Sequence, residues 1–358
     1  MRRSGAADLV LHTGYAPEWL VHRMVRLARS IFSIIIDEYG LKGILTRLSN
    51  PIFFQAFSNA LGFDWDSSGS TTVACNAIKQ ALADTDLGLK IAGGKGKYSR
   101  MTPKEISEIG GLFNLSEEEV AKIRYASRIT AKVDNAAVQD GYQLYHHTIF
   151  ISREGDWTVV QQGMSPKIKK ARRYHWLSNK VRSFVVEPHH SIVGDKIHSN
   201  VLDMTASQSR GARDISVELV RDGKSRLKRL YDGILKRQRP LTDWLRPPWE
   251  NEPKILSRYA VYSVKLGRMD WKAIEKAWKL EPNNYEELLA VFGVGPSTIR
   301  GLALVSELIF GEPPSWKDPV KYSFAFGGKD GVPFPVDRKA MDESISLLKE
   351  SVYRAKLG

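Results

Sequence analysis

The residues best suited to chemistry lie between Asp140 and Gln162, where Asp140, Gln143, His146, His147, Gln161 and Gln162 crowd into two short stretches. Tyr142 to Ser152 and Trp157 to Met164 have the composition and alternation of strands, and Arg153-Glu154-Gly155-Asp156 reads as the turn of an antiparallel hairpin. Strands that ought to be half buried rarely carry so many polar groups. Buried polar atoms need partners, so the cluster implies a hydrogen-bonded core network or a working site. Alternation puts Gln143, Tyr145, His147 and Ile149 on one face and His146, Thr148 and Phe150 on the other, so the adjacent histidines do not easily share one metal. Read as a site, Asp140, His146, His147 and Gln162 suit hydrolysis assisted by a divalent ion, Mg2+ or Mn2+.

Other stretches have the chemistry to hold a polyanion. Ser165 to Arg182 contains Lys167, Lys169, Lys170, Arg172, Arg173, Lys180 and Arg182 with no acid, interrupted by Tyr174, His175 and Trp176. Cations neutralise phosphates and flat rings stack on bases, so Lys169, Lys170, Arg172, Arg173, Tyr174 and Trp176 are expected to line a nucleic-acid groove; a solvated basic helix is the alternative. In IAGGKGKYSR, Ile91 to Arg100, the cations Lys95, Lys97 and Arg100 sit on a glycine-rich loop. That loop either clasps phosphates or is simply solvated, and it lacks Walker A spacing. Leu288 to Gly311 reads as helix, hairpin, helix. Gly293 and Gly295 free the turn, Pro296 starts the second helix, and Ser297 and Thr298 add hydroxyl donors beside exposed N–H groups. Such a turn holds a phosphate without reading bases, unless its glycines serve only close packing. Glu187, His189, His190, Asp195, His198 and Asp203 are metal-capable residues on an expected loop, at spacings that fit no metal template.

The elements that must position these groups follow from length and pattern. A chain of 358 residues has room for two or three domains. Residues 1–110 read as mainly helical, with stripes such as Trp19, Leu20, Met24, Leu27 and Ile31, and with Ser70 or Thr71 as an N-cap. Residues 111–205 are mixed and hold the polar hairpin and the basic segment. Residues 206–358 are mainly helical, with one long basic amphipathic helix expected over Ile215 to Gln238. The fold class is α+β. A formal net charge of +13 fits a polyanionic partner. The single cysteine, Cys75, excludes an internal disulfide and suits a reducing compartment. With no apolar run long enough to span a bilayer and no signal-like start, a cytoplasmic protein without a membrane partner is expected.

Nearly the whole chain resembles domain-of-unknown-function family 763 of archaea and thermophiles. The residues that carry this are MRRSGAADL, LGFDWDSSGSTTV, IAGGKGKYSRMTPKEI, GYQLYHHTIF with WTVVQQGM, ARRYHWLS, and FAFGGKDGVPFPVDRKAMDESI. The end of the chain is also distantly similar to the helix-hairpin-helix DNA glycosylase superfamily, which places an aspartate in a VPVD-type segment before a helix. Here Val332 to Asp342 reads VPFPVDRKAMD. The likeness implies that Asp337 stabilises the cationic sugar as an N-glycosidic bond breaks, or activates the attacking nucleophile; the plain alternative is a helix N-cap. Ser297 stands where bifunctional members carry a Schiff-base lysine, which implies hydrolysis without that lyase step.

These readings lead to three expectations. The first is a DNA-repair glycosylase that acts on a flipped base and uses no metal or other cofactor. The second is a nuclease that needs Mg2+ or Mn2+ and has its site in the middle region. The third is a DNA-binding protein with no reaction. Phosphate contacts would serve RNA as well.

Overall fold

The computed structural model describes residues 18–62, 69–166, 168, 170–194, 197–238 and 269–321. Asp337 and Lys169 therefore lie outside the described residues. Three helices come first: α1 (Glu18–Ser49), α2 (Pro51–Ala60) and α3 (Gly69–Ala83). Asn50 caps α2 by accepting from the N–H groups of Ile52 and Phe53. Strand β1 (Leu89–Lys95) and a short 3-10 turn lead to α4 (Thr102–Leu112) and α5 (Glu117–Lys132). A capping box between Ser116 and Glu119 starts α5. A π turn, Val133–Ala137, ends it and runs into β2 (Val138–Gln139).

The hairpin forms as β3 (Gln143–Ser152) and β4 (Trp157–Ser165), followed by β5 (Lys170–Leu177), β6 (Ser191–Val193) and β7 (Ser199–Asp203). Then come α6 (Arg210–Arg221), α7 (Lys224–Gln238), α8 (Trp271–Leu280), α9 (Tyr285–Ala290), α10 (Pro296–Phe310) and β8 (Ser315–Lys317). The expected single helix over Ile215 to Gln238 is two, because Gly223 takes a left-handed φ of 93° between α6 and α7. The segment from Val185 to Thr205, expected as a loop, contributes β6 and β7.

Two antiparallel sheets result, one ordered β1-β3-β4-β5-β6 and the other β2-β7-β8. The five-stranded sheet is covered on both faces. Leu89, Ile91, Phe150, Val160 and Leu177 pack under α1, α2 and α3. Ala92, Ile149, Val159 and Trp176 join a larger core with α4, α5 and the C-terminal helices. Burial on both faces explains why the strands lack simple polar-apolar alternation.

The register sorts the polar residues into two rows. On the side of α1, α2 and α3, His146 pairs with Gln162 and Gln162 with Arg173; on the side of α5, His147 pairs with Gln161 and Gln161 with Tyr174. A bulge between Leu144 and His146 shifts Tyr145 out of the expected alternation, and its hydroxyl meets Gln162 in the first row.

The expectation for the basic segment needs correction. From Lys170 to Leu177 it is neither a solvated helix nor a groove wall but an inner strand, β5, paired on both sides. Arg172, Arg173, Tyr174 and Trp176 are all 0% exposed, so in this fold their side chains serve the interior and do not face a polymer. Lys170, at the strand's edge, is half-buried.

Candidate functional site

The row facing α5 forms a continuous polar chain that ends in a cleft. Asp134 drops out of the π turn into the interior and is fully buried. Its Oδ2 accepts from Gln161 Nε2 at 2.6 Å and Trp176 Nε1 at 3.0 Å, and its Oδ1 meets His189 Nε2. Gln161 Oε1 lies 2.9 Å from His147 Nδ1, and His147 Nε2 lies 2.8 Å from Ser127 Oγ. Burial raises the pKa of Asp134, opposed by His189 and Trp176. Burial lowers that of His147, partly offset by the Gln161 bond, so the imidazole is neutral near pH 7. Ser127 and His147 both line a cleft of about 730 Å³ between α4, α5 and β3. That volume is in the range of small-ligand sites.

The opposite row is largely enclosed, although Tyr145 and His146 also border the cleft. Burial pushes the His146 imidazole down to about 3, and its Nδ1 has no hydrogen-bond partner. Gln162 bonds to Thr71 and Tyr145. The Arg173 guanidinium donates to Thr71 Oγ1, Ser70 Oγ and Gln55 Oε1, at 2.8, 3.0 and 3.0 Å, and lies over the Phe54 ring. Among the described residues no carboxylate pairs with it, and burial lowers its pKa to about 10. Ser70 and Thr71, expected as caps of α3, thus receive this cation.

Asp140 is committed elsewhere. Its Oδ2 accepts from Arg172 Nη1 at 2.9 Å and from the Tyr174 hydroxyl at 2.6 Å. Asp318 takes the other side of Arg172 with two 2.9 Å bonds. Burial alone would lower the Arg172 pKa, but Asp140 and Asp318 outweigh it and raise it. Asp140, His146, His147 and Gln162, expected as one hydrolytic set, therefore divide among three networks: Asp140 with Arg172, His147 with Ser127, and His146 with Gln162 across the sheet. Among the described residues, no three His, Cys, Asp or Glu side chains converge as metal ligands. Of the Glu187 to Asp203 group, His189 serves Asp134, His198 Nε2 lies 2.9 Å from the Tyr142 hydroxyl, and Asp203 holds Thr205.

The rim of the cleft carries the free charge. Arg124, Arg128 and Lys132 recur every fourth residue on α5 and line the opening; the two arginines are exposed. Their opposite face, with Ile123, Ala126 and Ile129, is buried in the core. Lys132 Nζ donates to the carbonyls of Val291, at 3.2 Å, and Val294, and so ties the basic stripe to the α9–α10 turn. Three more bonds clamp that turn onto the same support. Tyr125 donates to Glu286 at 2.8 Å, Gln139 donates to Pro296 O at 2.8 Å, and Arg300 donates to Gln139 at 2.8 Å.

In the turn, Gly293 has φ 97°, and a Cβ there would lie 3.0 Å from that of Ala273. Gly295 is the N-cap of α10, with no side-chain cap bond. Ser297 is half-buried, while Thr298 is fully buried and its hydroxyl has no partner. Phe292 at the tip is 82% exposed. Lys95 and Lys97 are exposed at the end of β1.

His147 stands out in the sequence, whereas Ser127, Asp134 and the α5 cations emerge with the fold. The four-residue spacing of Arg124, Arg128 and Lys132 was a usable signal. The Ser127–His147 contact had none, because it joins a helix to a strand.

Fold and site together define a basic, mixed α+β protein in which an antiparallel sheet, layered between helices, carries a buried polar chain that opens into a cationic cleft. Residues 5–336 match the family described as a protein of unknown function, DUF763, and the chain belongs to that family. No curated protein and no solved structure matches it. The likeness of the C-terminal part to helix-hairpin-helix glycosylases gains no support from these comparisons.

Proposed function

We propose that the protein binds DNA along the cationic face of α5 and the α9–α10 turn, and processes a nucleotide drawn into the adjoining cleft. The observation that carries this reading is the Lys132 tie. It joins a row of cations and a glycine turn with uncapped helix N–H groups into one surface, so a strand can contact both at once. Exposed Phe292 beside the turn suits stacking on a base or wedging into a step. Base excision is the reaction we assign, with Asp337 in the role that the sequence likeness implies and no cofactor. The alternative, a nuclease dependent on Mg2+ or Mn2+, has less in its favour because Asp140 is already neutralised by Arg172. The same surface would accept RNA phosphates.

Two measurements test this. Titration of a labelled duplex should show affinity falling steeply with salt, and Arg124→Glu with Arg128→Glu should weaken binding at least tenfold and reduce the log–log salt slope by about 2. Product analysis on DNA bearing modified bases, with EDTA and then alkali, should show breaks at the modified base that appear on alkali treatment and are abolished by Asp337→Asn. Salt-independent binding would refute the groove. Direct cutting that requires metal would replace base excision by the nuclease.

A further inference from the structure

The direction of every hydrogen bond in the chain from Asp134 to Ser127 is fixed by its buried end. Gln161 Nε2 meets the Asp134 oxygen that also accepts from the Trp176 indole, a group that only donates, so Gln161 gives its amide N–H to Asp134 and turns its carbonyl to His147. A carbonyl also only accepts, so His147 Nδ1 carries the proton and Nε2 presents a bare lone pair. The Ser127 hydroxyl must then donate to Nε2, at 2.8 Å. This is the tautomer and alignment in which an imidazole deprotonates a hydroxyl, with Gln161 as the orienting third group. Both reacting side chains line the cleft, and Arg124, one turn before Ser127, lines it too, as does the adjacent Arg128.

We propose that Ser127 is a nucleophile with His147 as its general base, and that the cleft takes a phosphodiester of a nucleic-acid strand as substrate. The substrate class rests on the groove reading above; the nucleophile does not. In the first step a bond forms between Ser127 Oγ and phosphorus while the bond from phosphorus to one ester oxygen breaks. The hydroxyl proton passes to His147 Nε2 and from there to the departing alkoxide, which leaves as an alcohol. Arg124 and Arg128 offset the charge that builds on the phosphoryl oxygens. In the second step water attacks the phosphoseryl diester, gives a proton to Nε2, and frees Ser127, whose Oγ recovers that proton. Atoms and charge balance without a metal or a redox partner. Gln161 is a positioning residue.

The test uses the full chain and diisopropyl fluorophosphate, a probe that needs no nucleic acid. Peptide mass mapping should find one diisopropylphosphoryl group on Ser127. Its rate of formation should rise with pH through the lowered His147 pKa and then level. His147→Ala should slow labelling on the order of 100-fold, the usual share of a general base, with an unchanged circular dichroism spectrum. On end-labelled DNA, a protein–DNA band should survive denaturing electrophoresis and vanish in Ser127→Ala. If the folded wild-type chain takes up no probe at Ser127, the nucleophile is overturned. If Ser127 is labelled but the protein shows no salt-dependent DNA binding, the groove and the phosphodiester assignment fall while the nucleophile stands.

Discussion

His146 and His147 are adjacent, yet each answers to a different layer of the molecule. Both border the cleft, but His147 reaches Ser127, whereas His146 lies in the row of Gln162 and Arg173 that faces the first three helices. Their titration predicts acid lability. An unfolded histidine protonates near pH 6.5, but burial holds His146 down to about 3, so the native state binds fewer protons across that window. Stability is full above about pH 6.5 and is lost as pH falls toward 3. Urea unfolding measured from pH 7 to pH 4 should show this slope, and His146→Gln should flatten it by about 1.4 kcal/mol per pH unit. For Gln161→Leu, which frees the His147 ring, labelling of Ser127 should slow and its pH midpoint should move. At this scale the density of polar residues from Asp140 to Gln162 was visible in the chain. Their partners were not, because Ser127 and Asp134 sit in a helical stretch whose pattern advertises only a core face and a charged one.

Among the elements, α5 bears the most. It supplies Ser127 to the floor of the cleft, cations to its rim, and through Lys132 the anchor for the α9–α10 turn. Lys132→Met removes the donor shared by two carbonyls and should cost about 1–3 kcal/mol in thermal unfolding, and it should weaken DNA binding more than loss of one exposed cation would. Gly293→Ala meets both a left-handed φ and a tight Cβ contact, and should lower the melting temperature by several degrees, roughly 1–2 kcal/mol. The β3–β4 hairpin was readable from turn residues and β-rich composition. Strand β5 was not, since two consecutive arginines on a buried strand look like a solvated run until the acids and hydroxyls that receive them are known.

For the whole molecule, the polar interior ties the layers together alongside the apolar core. Arg172 is enclosed between Asp140 and Asp318, so Asp318→Ala would leave a buried cation half-compensated and should destabilise the protein by about 3–5 kcal/mol in denaturant unfolding. Net positive charge pointed to a polyanion, but composition cannot show which cations are consumed inside. Arg172 and Arg173 are, whereas Arg124 and Arg128 are not.

The Arg172–Asp318 pair spans 146 positions, and this bears on how the chain is made. All five strands of the main sheet have left the ribosome once residue 193 is out, yet the buried cation on β5 lacks one of its two acids until residue 318 follows. A nascent chain halted between those points has every strand in hand and a guanidinium that resists enclosure. Enclosing Arg172 between both of its acids therefore waits for residue 318, so completion of this interior depends on a late part of the chain.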